Sequence, residues 1–137
     1  MATEALAVQV IEEIAQTLNC SQRVVANLMG VTPHTLSNNR DKRLNDLTPR
    51  TLNRLLPLYR IVVDMLGTHR PEMIYDILNL HVFADRKGRK DSVVSALQQE
   101  KYESEMLEQI AALALKQYEE KRRTKLIELP DVKSATA

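Results

Sequence analysis

Two Thr-Pro pairs and one glycine punctuate residues 21 to 49 tightly, and they restrict what this part of the chain can fold into. Thr32 precedes Pro33, and Thr48 precedes Pro49. In each pair the threonine oxygen can accept from the unpaired amides of a starting helix. Proline suits the first helical position because its missing N–H would have had no intrahelical partner. Gly30, shortly before the first pair, can end a helix in a backbone conformation that most side chains resist. With Ser21 as N-cap, the expectation is a short helix over residues 22 to 29 whose Val25, Ala26 and Met29 face inward. A turn follows, then a further helix from Pro33 to about Lys42.

Apolar spacing extends this reading in both directions. Leu6, Val10, Ile14 and Leu18 recur every four residues, widened by Ala7, Ile11 and Ala15, so residues 3 to 18 read as an amphipathic helix with an acidic polar face. After Thr48, the residues Leu52, Leu55, Leu56, Tyr59, Val62, Val63 and Leu66 form an apolar face that ends at Gly67. Pro57 lies inside it and removes a backbone donor, so a kink or a break is expected there. Pro71 opens another short helix carrying Met73, Ile74, Ile77 and Leu78. ADRKGRKD, around Gly88, reads as a basic polar loop and as the boundary within the chain. Asp91 or Ser92 then caps a long helical stretch to about Leu126, with LPDVKSATA beyond it as a frayed tail.

The fold class expected is all-α. The chain has 137 residues, one phenylalanine, no tryptophan and three glycines, which favours aliphatic helix packing over strands. Its division is read as an N-terminal helical bundle over residues 1–67, a helical dimerisation or partner-binding region over 68–127, and a flexible tail over 128–137. No apolar run reaches membrane length, and the acidic N-terminus lacks the basic start of a secretory signal, so the expected location is cytoplasmic. Cys20 has no partner for an internal disulfide and reads as a small residue near a helix start. His34, His69 and His81 are isolated, which makes a metal site a poor reading. With no Gly-rich phosphate loop, no Gly-x-Ser-x-Gly and no paired metal ligands, the expectation is a protein that is not an enzyme and needs no cofactor. The acidic run Glu103, Glu105, Glu108 reads as a solvated helix face.

The net charge of +1 conceals an uneven distribution. Residues 21 to 60 carry Arg23, Arg40, Lys42, Arg43, Arg50, Arg54 and Arg60 against Asp41 and Asp46, a local +5. Residues 1 to 20 stand at −3 and residues 102 to 120 at −4. Positive charge is therefore concentrated around the punctuated segment, as expected for a surface that meets phosphates.

Within that segment, Ala26 follows Gln22 by four residues, Gly30 follows Ala26 by four, and Val31 and Leu36 come next. A small Ala26 lets a second helix cross closely, while Val31 and Leu36 fill the angle between the two helices. Gln22, Ala26, Gly30, Val31, Thr32, Leu36 and Ser37 resemble the Cro and lambda-repressor class, the Xre family, whose helix-turn-helix reads Q-x-x-x-A-x-x-x-G-V-[ST]-x-x-x-[IL]-S. The resemblance covers residues 21 to 43, and by helix count residues 3 to 66. Asn39 departs from it, standing where the family usually has a bulky apolar residue. Asp41 and Lys42 also depart, where a glycine-containing turn often follows.

The resemblance implies an N-terminal lambda-repressor-like helix-turn-helix bundle followed by short helices and a long C-terminal helix. It implies a sequence-specific transcriptional regulator of double-stranded DNA, a repressor, with its second helix in the major groove. Thr32, His34, Thr35, Ser37 and Asn38 would then read bases, Asn38 above all, because its amide can donate to and accept from adenine. Gln22, Arg23, Arg40, Lys42, Arg43, Arg50 and Arg54 would meet the DNA backbone. Such proteins gain affinity by binding inverted repeats as homodimers. Val94, Leu97, Met106, Ile110 and Leu113 are the expected dimerisation residues, although Lys101, Ser104 and Gln109 break a strict heptad. Packing of this stretch back onto the first domain is the alternative. A different reading makes the chain an Xre-type antitoxin whose C-terminal half binds a toxin or other protein partner, and a third makes it a structural adaptor.

Overall fold

A computed structural model of the chain describes residues 5–84, 87–100 and 102–133, with side chains described as far as Arg123. It is mostly helical, in agreement with the all-α expectation. No helix among the described residues is long and apolar enough to cross a membrane.

Helix α1 (Ala7–Leu18) buries Ala7, Val10, Ile11, Ile14 and Leu18, the stripe that its spacing predicts. The expected helix began at residue 3. Residues 3 and 4 lie outside the described ones, while Ala5 and Leu6 are not helical. The opening amides of α1 have no intrahelical acceptors. Instead, Ala7 N–H donates to the Lys42 carbonyl at 2.8 Å and Val8 N–H to the Arg40 carbonyl at 3.0 Å. Leu44 N–H returns a bond to the Ala5 carbonyl at 2.9 Å. The chain after residue 39 is thus tied across the start of α1.

That tie corrects the length of the next helices. Helix α2 (Gln22–Met29) runs as expected, with Gly30 at its end in the left-handed region at φ 75°. Helix α3 (Pro33–Asn38) starts at the first Thr-Pro pair, where the Thr32 hydroxyl accepts from Thr35 N–H. It stops at Asn38, short of the expected Lys42. The Asn39 side-chain amide bonds back to the Thr35 carbonyl at 2.8 Å, and the carbonyls of Arg40 and Lys42 are taken by α1. A 3-10 turn (Leu44–Asp46) leads to the second Thr-Pro pair and helix α4 (Pro49–Tyr59).

Pro57 does not end α4. The helix passes through it and then widens into a π turn (Arg60–Met65), in which Leu66 N–H reaches the Ile61 carbonyl at 3.0 Å. Gly67 follows where an added Cβ would collide with the Val63 carbonyl. Helix α5 (Pro71–Leu78) buries Ile74, Ile77 and Leu78.

The remainder departs from expectation in two ways. The basic loop contains an antiparallel hairpin, β1 (Phe83–Ala84) and β2 (Lys90–Asp91), which pairs Phe83 with Asp91 and Ala84 with Lys90. The single long helix expected to run to Leu126 is divided into α6 (Val93–Gln99) and α7 (Ser104–Lys133). Between Leu97 and Met106 only Tyr102 is apolar, so a continuous helix would have had no face to bury there. Helix α7 also extends past residue 126 into the expected tail. Residues 134–137 of that tail lie outside the described ones.

One hydrophobic core joins these elements, running from Ala7 through Leu55, Leu58 and Ile77 to Leu97, Ile110 and Ala114. Helix α1 packs against α2, α4 and α5. Helix α6 lies on α2, and α7 closes over α4 and α5. The core continues past residue 67, the expected end of the first domain.

Candidate nucleic-acid interface

The corner between α2 and α3 is held from within. Val25, Ala26 and Met29 are fully buried, Leu36 anchors α3 at 2% exposure, and Val31 packs partly on the core between them. With Leu36 turned inward, Thr32, Pro33, His34, Ser37 and Asn38 are exposed on the opposite side of α3, and Thr35 is half-buried. The expected base-reading residues therefore lie on one short helix, four of the five facing solvent.

Two of them are already linked. The Asn38 amide nitrogen lies 3.1 Å from His34 Nε2, one helical turn back. When the ring nitrogen accepts, the amide keeps its oxygen and one N–H for an outside partner. Those are the groups that a bidentate contact to adenine uses. Thr32 and Thr35 share a 2.9 Å hydroxyl bond as well as the cap.

The basic cluster is less uniform than its sequence. Arg23, Lys42 and Arg43 are exposed, and no ion pair holds them among the described residues. Gln22 is half-buried at the start of α2. Arg40 lies 3.7 Å from Glu12, and Arg60 lies 3.7 Å from Glu108. The acidic helix faces thus offset part of the local positive charge.

Arg54 differs most from its expected role. Its side chain is 5% exposed, and its Nη1 donates to the carbonyls of Met29 and Gly30, each at 3.0 Å, while Nη2 lies 2.7 Å from Glu100 Oε2. It closes the C-terminal end of α2, where unpaired carbonyls favour a cation. A guanidinium engaged in this way is not presented to a phosphate. Arg50 is 72% exposed but donates through Nε and Nη2 to the same carboxylate. Desolvation of Glu100 opposes its charge. The hydrogen bonds and charges of Arg50 and Arg54 outweigh it and hold the carboxyl below the usual carboxylate range.

Glu100 itself escaped the sequence reading. It ends α6 at φ 54°, in the left-handed region, within the polar run QQEKYESE that separates Leu97 from Met106. That run was the available signal for a corner. Gln98, also missed, donates to the Asn27 carbonyl at 2.7 Å and lies against Gly30. Arg50, Asn53, Arg54, Glu100, Tyr102 and Ser104 line a cleft of about 470 Å³ between α4 and the α6–α7 corner.

Of the expected dimerisation residues, Val94, Leu97 and Ile110 are buried in the chain's own core. Met106 is half-buried against that core, and Leu113 is half-buried. The alternative, packing back onto the N-terminal helices, is the arrangement found for the first three. Cys20 is half-buried near the end of α1. Burial of Tyr75 and a hydrogen bond with Cys20 push the phenol above its ordinary range. No group of three or more His, Cys, Asp or Glu side chains that could hold a metal occurs among the described residues. No protein-family model matches the chain, and no curated protein or solved structure matches it either.

Proposed function

We propose that the chain is a sequence-specific DNA-binding transcriptional regulator in which α2, the turn at Gly30 and α3 form a helix-turn-helix of Cro and lambda-repressor type. One observation carries the reading. A six-residue helix is pinned by Leu36 and presents Thr32, His34, Ser37 and Asn38 outward, with Pro33 as the one apolar residue among them. Such a face, on a helix fixed by a buried corner, suits base edges in the major groove. Arg23 on one side and Lys42 and Arg43 on the other are exposed cations for the flanking phosphates.

In this reading the chain acts as a repressor and binds an inverted repeat as a homodimer, because one short helix contacts only a few base pairs. Val94, Leu97 and Ile110 serve the monomer core, so pairing uses other surfaces. The test is selection of duplexes from a randomised pool with the purified chain, followed by anisotropy titration at several salt concentrations. A recovered half-site with salt-dependent affinity is expected; unselective, salt-insensitive binding would reject the reading. Asn38→Ala should lose about 1 to 3 kcal/mol of discrimination at one base position. His34→Ala should lose less at the same position, where its ring orients the Asn38 amide.

A further inference from the structure

We propose that the β1–β2 hairpin is a second phosphate-contacting element, which grips the backbone of the duplex whose bases α3 reads. This rests on the reading above and extends it to a part of the chain outside the helix-turn-helix.

Three observations converge. Lys87, Arg89 and Lys90 are all exposed on or beside β2, and Lys87 and Arg89 are also engaged by partners within the chain. At the tip, Gly88 stands at φ 83° with open space where a side chain would be, so the backbone can approach a ligand closely. Between the hairpin and α6 lies a small groove of about 160 Å³, lined by His81, Arg89, Lys90, Asp91, Ser95 and Gln99. Three of these six residues are basic types and two carry neutral hydrogen-bonding groups, which suits a single phosphate.

The hairpin is fixed in place, as an element that contributes specificity and affinity should be. Asp91 is 3% exposed and accepts from Ser95 Oγ at 3.1 Å and from the Tyr102 hydroxyl at 3.2 Å. Its carboxylate is engaged by these partners, while Arg89, Lys90 and His81 line the same groove. Phe83 meets Tyr102 edge to face, with ring centroids 5.7 Å apart. These contacts anchor both strands to the α6–α7 corner.

The same corner touches the α2–α3 turn. Gln98 bonds to Asn27 and lies against Gly30, while its neighbour Gln99 lines the groove with Arg89 and Lys90. Helix α6 contacts both α2 and β2, so one helix, about 10–12 Å across with its side chains, links the turn to the hairpin. With α3 in the major groove, the proposed partners of Lys87, Arg89 and Lys90 are the phosphates that border it.

The experiment compares the full chain with a K87A/R89A/K90A variant and with a K42A/R43A variant, using a random-sequence duplex of about 30 base pairs and, separately, inorganic phosphate. Anisotropy against salt gives affinity and slope. Circular dichroism verifies that each variant is folded, and the amide NMR signals of Gly88, Ser95 and Gln99 in the unmodified chain give a readout that needs no substitution. The expected result is at least tenfold weaker duplex binding by the hairpin variant, with a salt slope shallower by about 0.9 for each phosphate that the variant no longer neutralises. The three amides should shift on adding duplex.

Equal affinity and slope in the hairpin variant, with weakened binding by the K42A/R43A variant and unmoved amides, would overturn the hairpin's role and leave the helix-turn-helix reading standing. An unmodified chain that leaves the duplex unbound at low salt would overturn both. If inorganic phosphate shifts the three amides and the duplex does not, the groove serves a free anion and the proposed DNA contact is wrong.

Discussion

Arg54 joins α4, the end of α2 and the α6–α7 corner through one guanidinium. Its removal would take their side-chain donor from two carbonyls and leave the Glu100 carboxylate with the exposed Arg50 alone. Arg54→Ala should therefore destabilise the chain by about 3 kcal/mol, measured by urea unfolding. Arg54→Lys should restore little of this, because an ammonium cannot reproduce the planar fork. Glu100 gives the same junction a pH dependence. Its folded pKa is lowered, so it binds protons less readily folded than unfolded. The stability it contributes is present above the ordinary carboxylate pKa and is lost as pH falls through the lowered folded value. Glu100→Gln should make the acid side of the stability profile flatter than in the unmodified chain. An unchanged acid slope would mean that the pair contributes nothing measurable, as many exposed pairs do. From sequence Arg54 belonged with the phosphate-binding arginines, since composition does not reveal which cation faces inward. Only the carbonyls at the end of α2 and Glu100, 46 residues later in the chain, decide that.

At the scale of elements, what could be read depended on whether a signal was local. The Thr-Pro pairs and the left-handed Gly30 act within one turn of chain, and α3 and α4 begin, and α2 ends, where those residues place them. The end of α3 was set instead by α1, whose opening amides take the carbonyls of Arg40 and Lys42. The hairpin depends on Asp91 meeting Tyr102, a contact that no periodicity announces. Gly30 shows both kinds of constraint together. Its φ of 75° disfavours a side chain, and an added Cβ would stand 3.1 Å from Gln98 Cγ and 3.3 Å from Arg54 Nη1. Gly30→Ala should cost about 1 to 2 kcal/mol for the backbone conformation alone. Because Gln98 and Arg54 must also give way, the loss in thermal unfolding should exceed that of an alanine placed at the open Gly88. Equal losses at the two glycines would show that packing against α6 carries no weight.

For the whole molecule the consequence concerns the first 67 residues, which read from sequence as a domain of their own. Their helices leave α1, α4 and the π turn with apolar faces that the rest of the chain covers. Ile74, Ile77, Leu78, Val93, Leu97, Leu107 and Ile110 all lie at 3% exposure or less within the common core. Burying seven large aliphatic side chains contributes on the order of 10 kcal/mol. A domain's entire net stability is about 5–15 kcal/mol. A fragment of residues 1–67 would lose that contribution and the Glu100 carboxylate opposite Arg54, while keeping the whole polar face of α3. It should therefore show weak helicity and no cooperative melting transition, whereas the full chain should unfold in one transition seen alike by circular dichroism and by tyrosine absorbance. A cooperative fragment of near-native helicity would mean that the second half is an appendage. The coupling through α6 would then have no bearing on how α3 is held. If the fragment fails and the full chain unfolds as one unit, a shift of the α6–α7 corner should also act on the α2–α3 turn, because Gln98 bonds to Asn27 and Glu100 pairs with the Arg54 that holds the carbonyls of Met29 and Gly30.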